Sequence, residues 1–310
     1  MRALRIHRHG DAILESAVDD PIAGAEEAIV DLAFAGVNPL DVLIMLGNVA
    51  PTAPLPRTLG VDGSGYLNGK PVLVYGGGVG MLRDGTMAER VAAPRAAIVP
   101  LPNGVSLEAA TACGNAGGTA IRLLELSEAR PGEVALVLAA SGSVGGAVCS
   151  LLAANGINAY GQVRRRSAAA FVEEAGAKPI LAQTAGDLAD ALGELRPNIL
   201  FDPLGGAWTL AAMDLLSLDA RHVIYGTMTG KAIEFDLLKF YRRSGSIRGF
   251  RGIAEPQERL REAVSLALAA HAAGKLHIPI KHRVPLSAGT KALDLVRASH
   301  EGRIAIEIKG

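Results

Sequence analysis

A chain of 310 residues in which 31 Lys plus Arg balance 31 Asp plus Glu has no overall field to recruit nucleic acid or an anionic membrane. Its length suits one large or two modest domains. Two cysteines, Cys113 and Cys149, form no CxxC pair and give no basis for a disulfide framework. No apolar run approaches membrane-spanning length, and the opening MRALRIHRHGD carries charges where a signal peptide needs an apolar core. The expectation is a soluble cytoplasmic protein with no nucleic-acid and no membrane partner.

Residues 1 to about 105 read as short strands and turns, at 28–33, 71–75, 88–91 and 98–100, punctuated by proline and glycine. Asn38 is placed to cap a helix that begins with Pro39, and Asp41 in its first turn suits the helix dipole. His7 and His9 share a strand face, but two isolated ligands do not make a metal site. The run Gly76-Gly77-Gly78-Val79-Gly80 imitates a phosphate-binding turn. The next residues, 81–85, are too few and too glycine-bounded for the helix such a turn requires, so a flexible loop is expected. Tyr75 beside it is the one tyrosine we nominate as a proton donor.

From about 107 to 126 the pattern is helical, interrupted by Gly114, Gly117 and Gly118. Strand and helix then alternate, with strands at 134–140, 159–163, 179–182, 199–203, 221–226 and 246–250. Helices fall between them at 144–155, 168–175, 187–194, 207–216 and 234–242. This alternation argues for a doubly wound parallel sheet of Rossmann type. Helices are expected near 258–273 and 288–301. The alternating strand Ile304, Ile306, Ile308 could return to the β-rich N-terminal region and make that domain discontinuous.

The most informative stretch is VALVLAASGSVG, Val134 to Gly145. A doubly buried strand breaks at Ala139, Ala140, Ser141, Gly142 and Ser143 and restarts as a helix near Val144. This geometry turns free backbone N–H groups and the positive end of a helix dipole towards a diphosphate. Gly142 lets the main chain approach the ligand, and Gly145 lets helix pack on strand, while Ala139 stands at the first position of the usual three-glycine pattern. The strand ending at Val163 leads not into a carboxylate for a ribose 2′-hydroxyl but into Arg164, Arg165 and Arg166. Guanidinium groups grip a 2′-phosphate through paired hydrogen bonds, so the expected cofactor is NADPH.

Further segments carry a resemblance: Gly36-Val37-Asn38-Pro39-Leu40-Asp41, Leu59-Gly60-Val61-Asp62-Gly63-Ser64-Gly65, Gly118-Thr119-Ala120, Asp202-Pro203-Leu204-Gly205-Gly206 and Gly249-Phe250. With Ala139 to Gly145 they resemble the zinc-independent quinone oxidoreductase (zeta-crystallin-like) branch of the medium-chain dehydrogenase/reductase superfamily. The resemblance covers essentially the whole chain. It implies an α/β architecture: a Rossmann domain at 113–250 and a discontinuous β-rich GroES-like catalytic domain at 1–112 and 251–310. It also implies a homodimer through the strand near Ser246. In the zinc dehydrogenases of the superfamily, metal ligands stand where this chain has Asn38 and Val61, and neither supplies a thiolate or an imidazole. No metal is expected.

The resemblance places Asn38 near the nicotinamide ribose and substrate, and Thr119 near the ribose or diphosphate. Leu204, Tyr225, Gly226 and Phe250 line the cofactor, the last three at the carboxyl ends of strands. Leu43 and Val49 stand where relatives carry tyrosines, so a dedicated acid is missing. Such a site suits hydride transfer to a quinone or a related conjugated carbonyl, whose oxyanion takes its proton from water. The alternatives are an NADPH-dependent enoyl-thioester reductase, against which Val49 counts, and a non-catalytic NADPH-binding sensor or structural protein.

Overall fold

A computed structural model describes residues 1–298 and 301–309. The chain divides into two compact units. Unit one comprises Met1–Gly118, Glu255–Gly274 and the described residues from Ile278 onward, and unit two comprises Thr119–Ala254 and Lys275–His277.

Unit one begins with β1 (Ala3–Ile6), β2 (Ile13–Glu15), β3 (Glu27–Val37), helix α1 (Pro39–Met45) and β4 (Arg57–Thr58). It continues through β5 (Asp62–Leu67), β6 (Lys70–Tyr75), β7 (Arg90–Pro94), β8 (Ile98–Pro100) and α2 (Leu107–Ala112). A π-helical turn, Cys113–Gly117, joins α2 to α3 (Gly118–Ser127). β5 was not expected as a strand, because Asp-Gly-Ser-Gly has poor strand propensity. Its glycines are there for closeness: a Cβ on Gly65 would fall 2.0 Å from the Asp31 carbonyl of β3, at an irregularity in the β3–β5 register.

Unit two carries β9 (Val134–Val137), α4 (Ser143–Ala154), β10 (Asn158–Val163), α5 (Ala169–Glu174), β11 (Lys178–Leu181) and α6 (Leu188–Leu192). Then come β12 (Ile199–Asp202), α7 (Gly206–Leu215), β13 (Arg221–Ile224), α8 (Leu237–Arg242) and β14 (Ser246–Gly249). All six strands are parallel, in the order β11-β10-β9-β12-β13-β14. This is the doubly wound Rossmann order, and it reverses direction between β9 and β12, where such sheets bind their ligands.

The chain then returns to unit one with α9 (Gln257–Ala272), β15 (Ile280–Pro285), α10 (Gly289–Arg297) and β16 (Arg303–Glu307). β16 pairs antiparallel with β3 and parallel with β15, completing a seven-stranded sheet in the order β15-β16-β3-β5-β6-β8, with β7 also on β3. The β-rich unit is therefore discontinuous. Residues 299 and 300 of the expected last helix lie outside the described residues. The core of unit one gathers Leu4, Ile6, Val30, Leu32, Ile44, Leu59, Ile304 and Ile306, all fully buried. The loop at Gly76 to Gly80 takes left-handed backbone at four glycines and is held down. The Gly77 N–H donates to Gln257 Oε1 at 2.6 Å, and Gln257 Nε2 donates to the Ala96 carbonyl at 3.2 Å.

Candidate active site

In unit two, β9 ends one turn before α4, and Gly142 is the N-cap residue of that helix. Ala139, Ser141, Gly142, Ser143 and Val144 are half-buried and Gly145 is buried. No carbonyl among the described residues accepts from the Val144 or Gly145 N–H, whereas the Gly146 N–H is back in the helix, donating to Gly142. That leaves first-turn donors available to an anion. A Cβ on Gly145 would lie 2.6 Å from the Ala139 carbonyl, so this position packs helix on turn. A Cβ on Gly142 would meet only that same oxygen, at 3.5 Å. The chain itself therefore does not need glycine there, and only a close ligand would.

Ala139 takes a left-handed backbone, φ 51°, at the position the usual pattern gives to glycine. Relief of that strain, about 1–2 kcal/mol, outweighs the extra freedom glycine adds to the unfolded chain. Ala139→Gly is expected to raise stability by roughly 0.5 kcal/mol in urea unfolding; an unchanged or lower midpoint would count against it.

The turn after β12 is built on Asp202, fully buried, whose Oδ1 accepts from the Leu204 N–H (2.7 Å) and the Gly205 N–H (3.1 Å). Burial pushes its carboxyl up, but hydrogen bonds from His222, Thr209 and Gly205 win and hold it below the usual range. Leu204 is buried, while Tyr225, Gly226 and Phe250 are half-buried at the ends of β13 and β14. Burial raises the Tyr225 phenol. Gly226 has no room for a side chain, since a Cβ would sit 2.6 Å from the Pro203 carbonyl. Arg164, Arg165 and Arg166 follow β10 and are exposed, and Thr119 is half-buried near the start of α3.

Unit one holds a buried polar network that brings Asn38 and Tyr75 together. Arg303, 1% exposed, donates from Nη2 to both oxygens of Asp62 at 2.8 Å and to the Thr111 carbonyl at 2.9 Å. Its Nη1 donates to Asn38 Oδ1 at 2.5 Å. Asn38 Nδ2 donates in turn to Asp62 Oδ1 (3.0 Å) and Asp41 Oδ2 (3.2 Å), and its backbone N–H also goes to Asp41 Oδ2 (2.8 Å). Asn115 bridges onward, with Nδ2 donating to Asn38 Oδ1 at 3.0 Å and Oδ1 accepting from the Tyr75 hydroxyl at 3.1 Å. The Asn115 backbone N–H donates to Asp62 Oδ2 at 2.8 Å, which takes it out of the helical ladder and accounts for the π turn.

The motif glycines make room for this network. A Cβ on Gly36 would fall 1.8 Å from Arg303 Nη2, and one on Gly114 would fall 2.8 Å from Asp62. Sequence reasoning did not find Arg303, Asp62 as a charge, or Asn115. The available signal was a polar residue between glycines in an apolar helical run. Val49 packs against the core of unit one, and Leu43 is exposed.

Two carboxylates share one guanidinium here, and Asp41 bears the consequence. Burial, then the charge of Asp62, pushes its carboxyl up to about 7, against the donors of Asn38 and the charge of Arg303. A carboxyl raised above its unfolded value of 3.8 favours the fold most below that value, and the advantage is lost as pH rises through about 7. We therefore expect one aspartate in a 13C-carboxyl titration of the folded protein to have its midpoint near neutrality. Midpoints near 4 for every aspartate would contradict this. Burial also raises the Tyr75 phenol and pushes the Cys113 and Cys149 thiols up to about 12, so neither cysteine is a ready nucleophile.

The family model of zinc-binding dehydrogenases matches residues 143–269, which include neither Asn38 nor Val61. A quinone oxidoreductase of Lama guanicoe is 25% identical over 100% of this chain and 98% of its own. The quinone oxidoreductase-like protein 2 of Bos taurus is 30% identical over 70% of this chain and 65% of its own. The quinone oxidoreductase of Thermus thermophilus, solved also in complex with NADPH, superposes with a TM-score of 0.86 at 25% identity, over 99% of this chain and 100% of that one. This chain belongs to the medium-chain dehydrogenase/reductase superfamily. Within it, the chain falls in the zinc-independent quinone oxidoreductase branch and is a nicotinamide-dependent oxidoreductase. Asn38 is committed to neighbouring side chains on both its amide atoms.

Proposed function

We propose that this protein uses NADPH to reduce quinones or related conjugated carbonyls without zinc. The observation that carries the reading is the pair of features at adjacent strand ends. The Val144 and Gly145 N–H groups of α4 have no carbonyl acceptor among the described residues, and three exposed arginines follow β10 where an NAD enzyme would place a carboxylate. When bound, the cofactor supplies hydride to an electron-poor acceptor. The amides of Val144 and Gly145 hold the diphosphate, Arg164, Arg165 and Arg166 hold the 2′-phosphate, and Thr119, Leu204, Tyr225, Gly226 and Phe250 line the remainder. Asn38 acts within the polar network of unit one. A homodimer through the edge strand β14 belongs to the same proposal.

The test separates cofactor from substrate. Replacing Arg164, Arg165 and Arg166 together with alanine is expected to raise the NADPH dissociation constant by about 10–100-fold, the worth of one or two charge-assisted hydrogen bonds. Affinity for NADH should hardly change, and equal losses for both would remove the 2′-phosphate assignment. Steady-state assays on benzoquinones and on a crotonyl thioester then distinguish a quinone reductase from a thioester reductase. NADPH binding without turnover of either would leave the non-catalytic reading.

A further inference from the structure

Gln162 is the polar exception at the carboxyl end of β10, 1% exposed between the buried Gly161 and Val163. A buried amide is costly unless both its ends are hydrogen-bonded, and here both are. Oε1 accepts from the Ala139 N–H at 3.0 Å, and Nε2 donates to the Ala182 carbonyl at 2.7 Å. One partner can only donate and the other only accept, so the amide has a single allowed orientation. The bond to Ala139 falls where the chain leaves the sheet. The Leu138 N–H still donates to the Phe201 carbonyl of β12 at 3.0 Å, and the Ala140 N–H donates to the Gln162 carbonyl at 2.9 Å. Between them the left-handed backbone of Ala139, φ 51°, gives its N–H to the Gln162 side chain. Alanine resists that conformation, whereas the glycine of the usual pattern takes it without support.

We propose that Gln162 is a positioning residue for the cofactor: its side chain stands in for the missing first glycine by holding Ala139 in left-handed backbone, so that residues 141–145 keep the shape that receives the diphosphate. The inference rests on the cofactor reading above. Gln162 acts through Ala139 and touches no cofactor atom. Without its side chain, Ala139 relaxes towards ordinary backbone and the amides that follow lose their common direction. The Ala182 carbonyl is the second anchor, since the Ala182 N–H is already tied to Val163 of β10 at 3.0 Å. The diphosphate is common to NADPH and NADH, so both cofactors feel Gln162 equally, whereas Arg164, Arg165 and Arg166 discriminate between them.

The test titrates NADPH and NADH into the wild type, Gln162→Met, Ala139→Gly and the double variant. Methionine is close in volume to glutamine and can make neither bond. Gln162→Met should raise Kd about 10-fold for both cofactors, the worth of one hydrogen bond. In the Ala139→Gly background the same replacement should change Kd by less than about threefold, because glycine keeps the left-handed backbone unaided. A role confined to filling the core would instead lower the urea midpoint in both backgrounds and move neither Kd. A folded Gln162→Met that binds both cofactors as the wild type does overturns the inference. So does a loss that persists in the Ala139→Gly background or falls on NADPH alone. Where only the double variant folds, its comparison with Ala139→Gly decides. Should Gln162→Met fold in neither background, the scalar coupling across the hydrogen bond from the Ala139 N–H to the Gln162 side-chain carbonyl is measured in the wild type. Kept in the NADPH complex it supports the inference, and lost on binding it overturns it. A wild type that binds neither cofactor removes the cofactor reading itself, a result seen before any variant is compared.

Discussion

Gly142→Asp is expected to weaken NADPH binding by on the order of 10³-fold while leaving the folded protein as stable as before or up to about 1 kcal/mol more stable. The two signs come from one position. Gly142 is the N-cap of α4 with φ −80°, and a Cβ there would make only an ordinary 3.5 Å contact with the Ala139 carbonyl. Aspartate is among the best N-cap residues, and its carboxylate would take up first-turn N–H groups and the positive end of the helix dipole. Those donors are the ones the proposal gives to the diphosphate. A fixed negative charge about 4 Å from another costs about 4 kcal/mol at an effective dielectric of 20, hence the thousandfold loss. Gly145→Ala should do the reverse of a neutral change, because its Cβ would press on backbone at 2.6 and 2.8 Å and destabilise the turn by about 1–3 kcal/mol. Titration of NADPH fluorescence together with urea unfolding of both variants checks the pair. Gly142→Asp with unimpaired NADPH binding would show that the diphosphate lies elsewhere.

That contrast shows how far the local pattern could be read. The turn at 139–145 was legible because strand, small residues and helix are contiguous, and each residue reports on its immediate neighbours. The strand alternation of unit two was legible for the same reason, with boundaries displaced by one to three residues where strands stop short, as β9 does at Val137. β5 was not, because glycines chosen for close approach to β3 erase the alternation that marks a strand. The polar network escaped for a different reason. Arg303 and Asp62 are separated by 241 residues, and nothing in a short window distinguishes a buried arginine from the solvated ones that surround it in composition. The motif segment around Asn38 was recognised as important, yet the partners that fix its amide are scattered over α1, β5, the π turn and β16.

Arg303→Met should cost about 3–5 kcal/mol of stability, the usual consequence of leaving a buried charge without its partner. Methionine fills much of the same volume, so the loss is electrostatic rather than a cavity. Asp62 would keep hydrogen bonds from Asn38 Nδ2 and the Asn115 N–H but lose the guanidinium that neutralises it, with Asp41 already close by. Arg303→Lys should recover only part of the loss, because an ammonium cannot at once reach Asn38, both Asp62 oxygens and the Thr111 carbonyl. Adding Asp62→Asn to Arg303→Met should restore some stability by removing the stranded charge, and this non-additivity is the signature of a coupled pair rather than of two independent contacts. The measurement is urea unfolding followed by probes in unit one, and an Arg303→Met midpoint equal to the wild type would show that the pair contributes nothing. The stability of the ion pair against an apolar replacement is a separate matter, since burying the charges already costs much of what their attraction returns and Arg303 Nε has no partner among the described residues. What the pair supplies is direction: with the donor-only Arg303 on one side of Asn38 and the Asp62 carboxylate on the other, the amides of Asn38 and Asn115 each have a single allowed orientation.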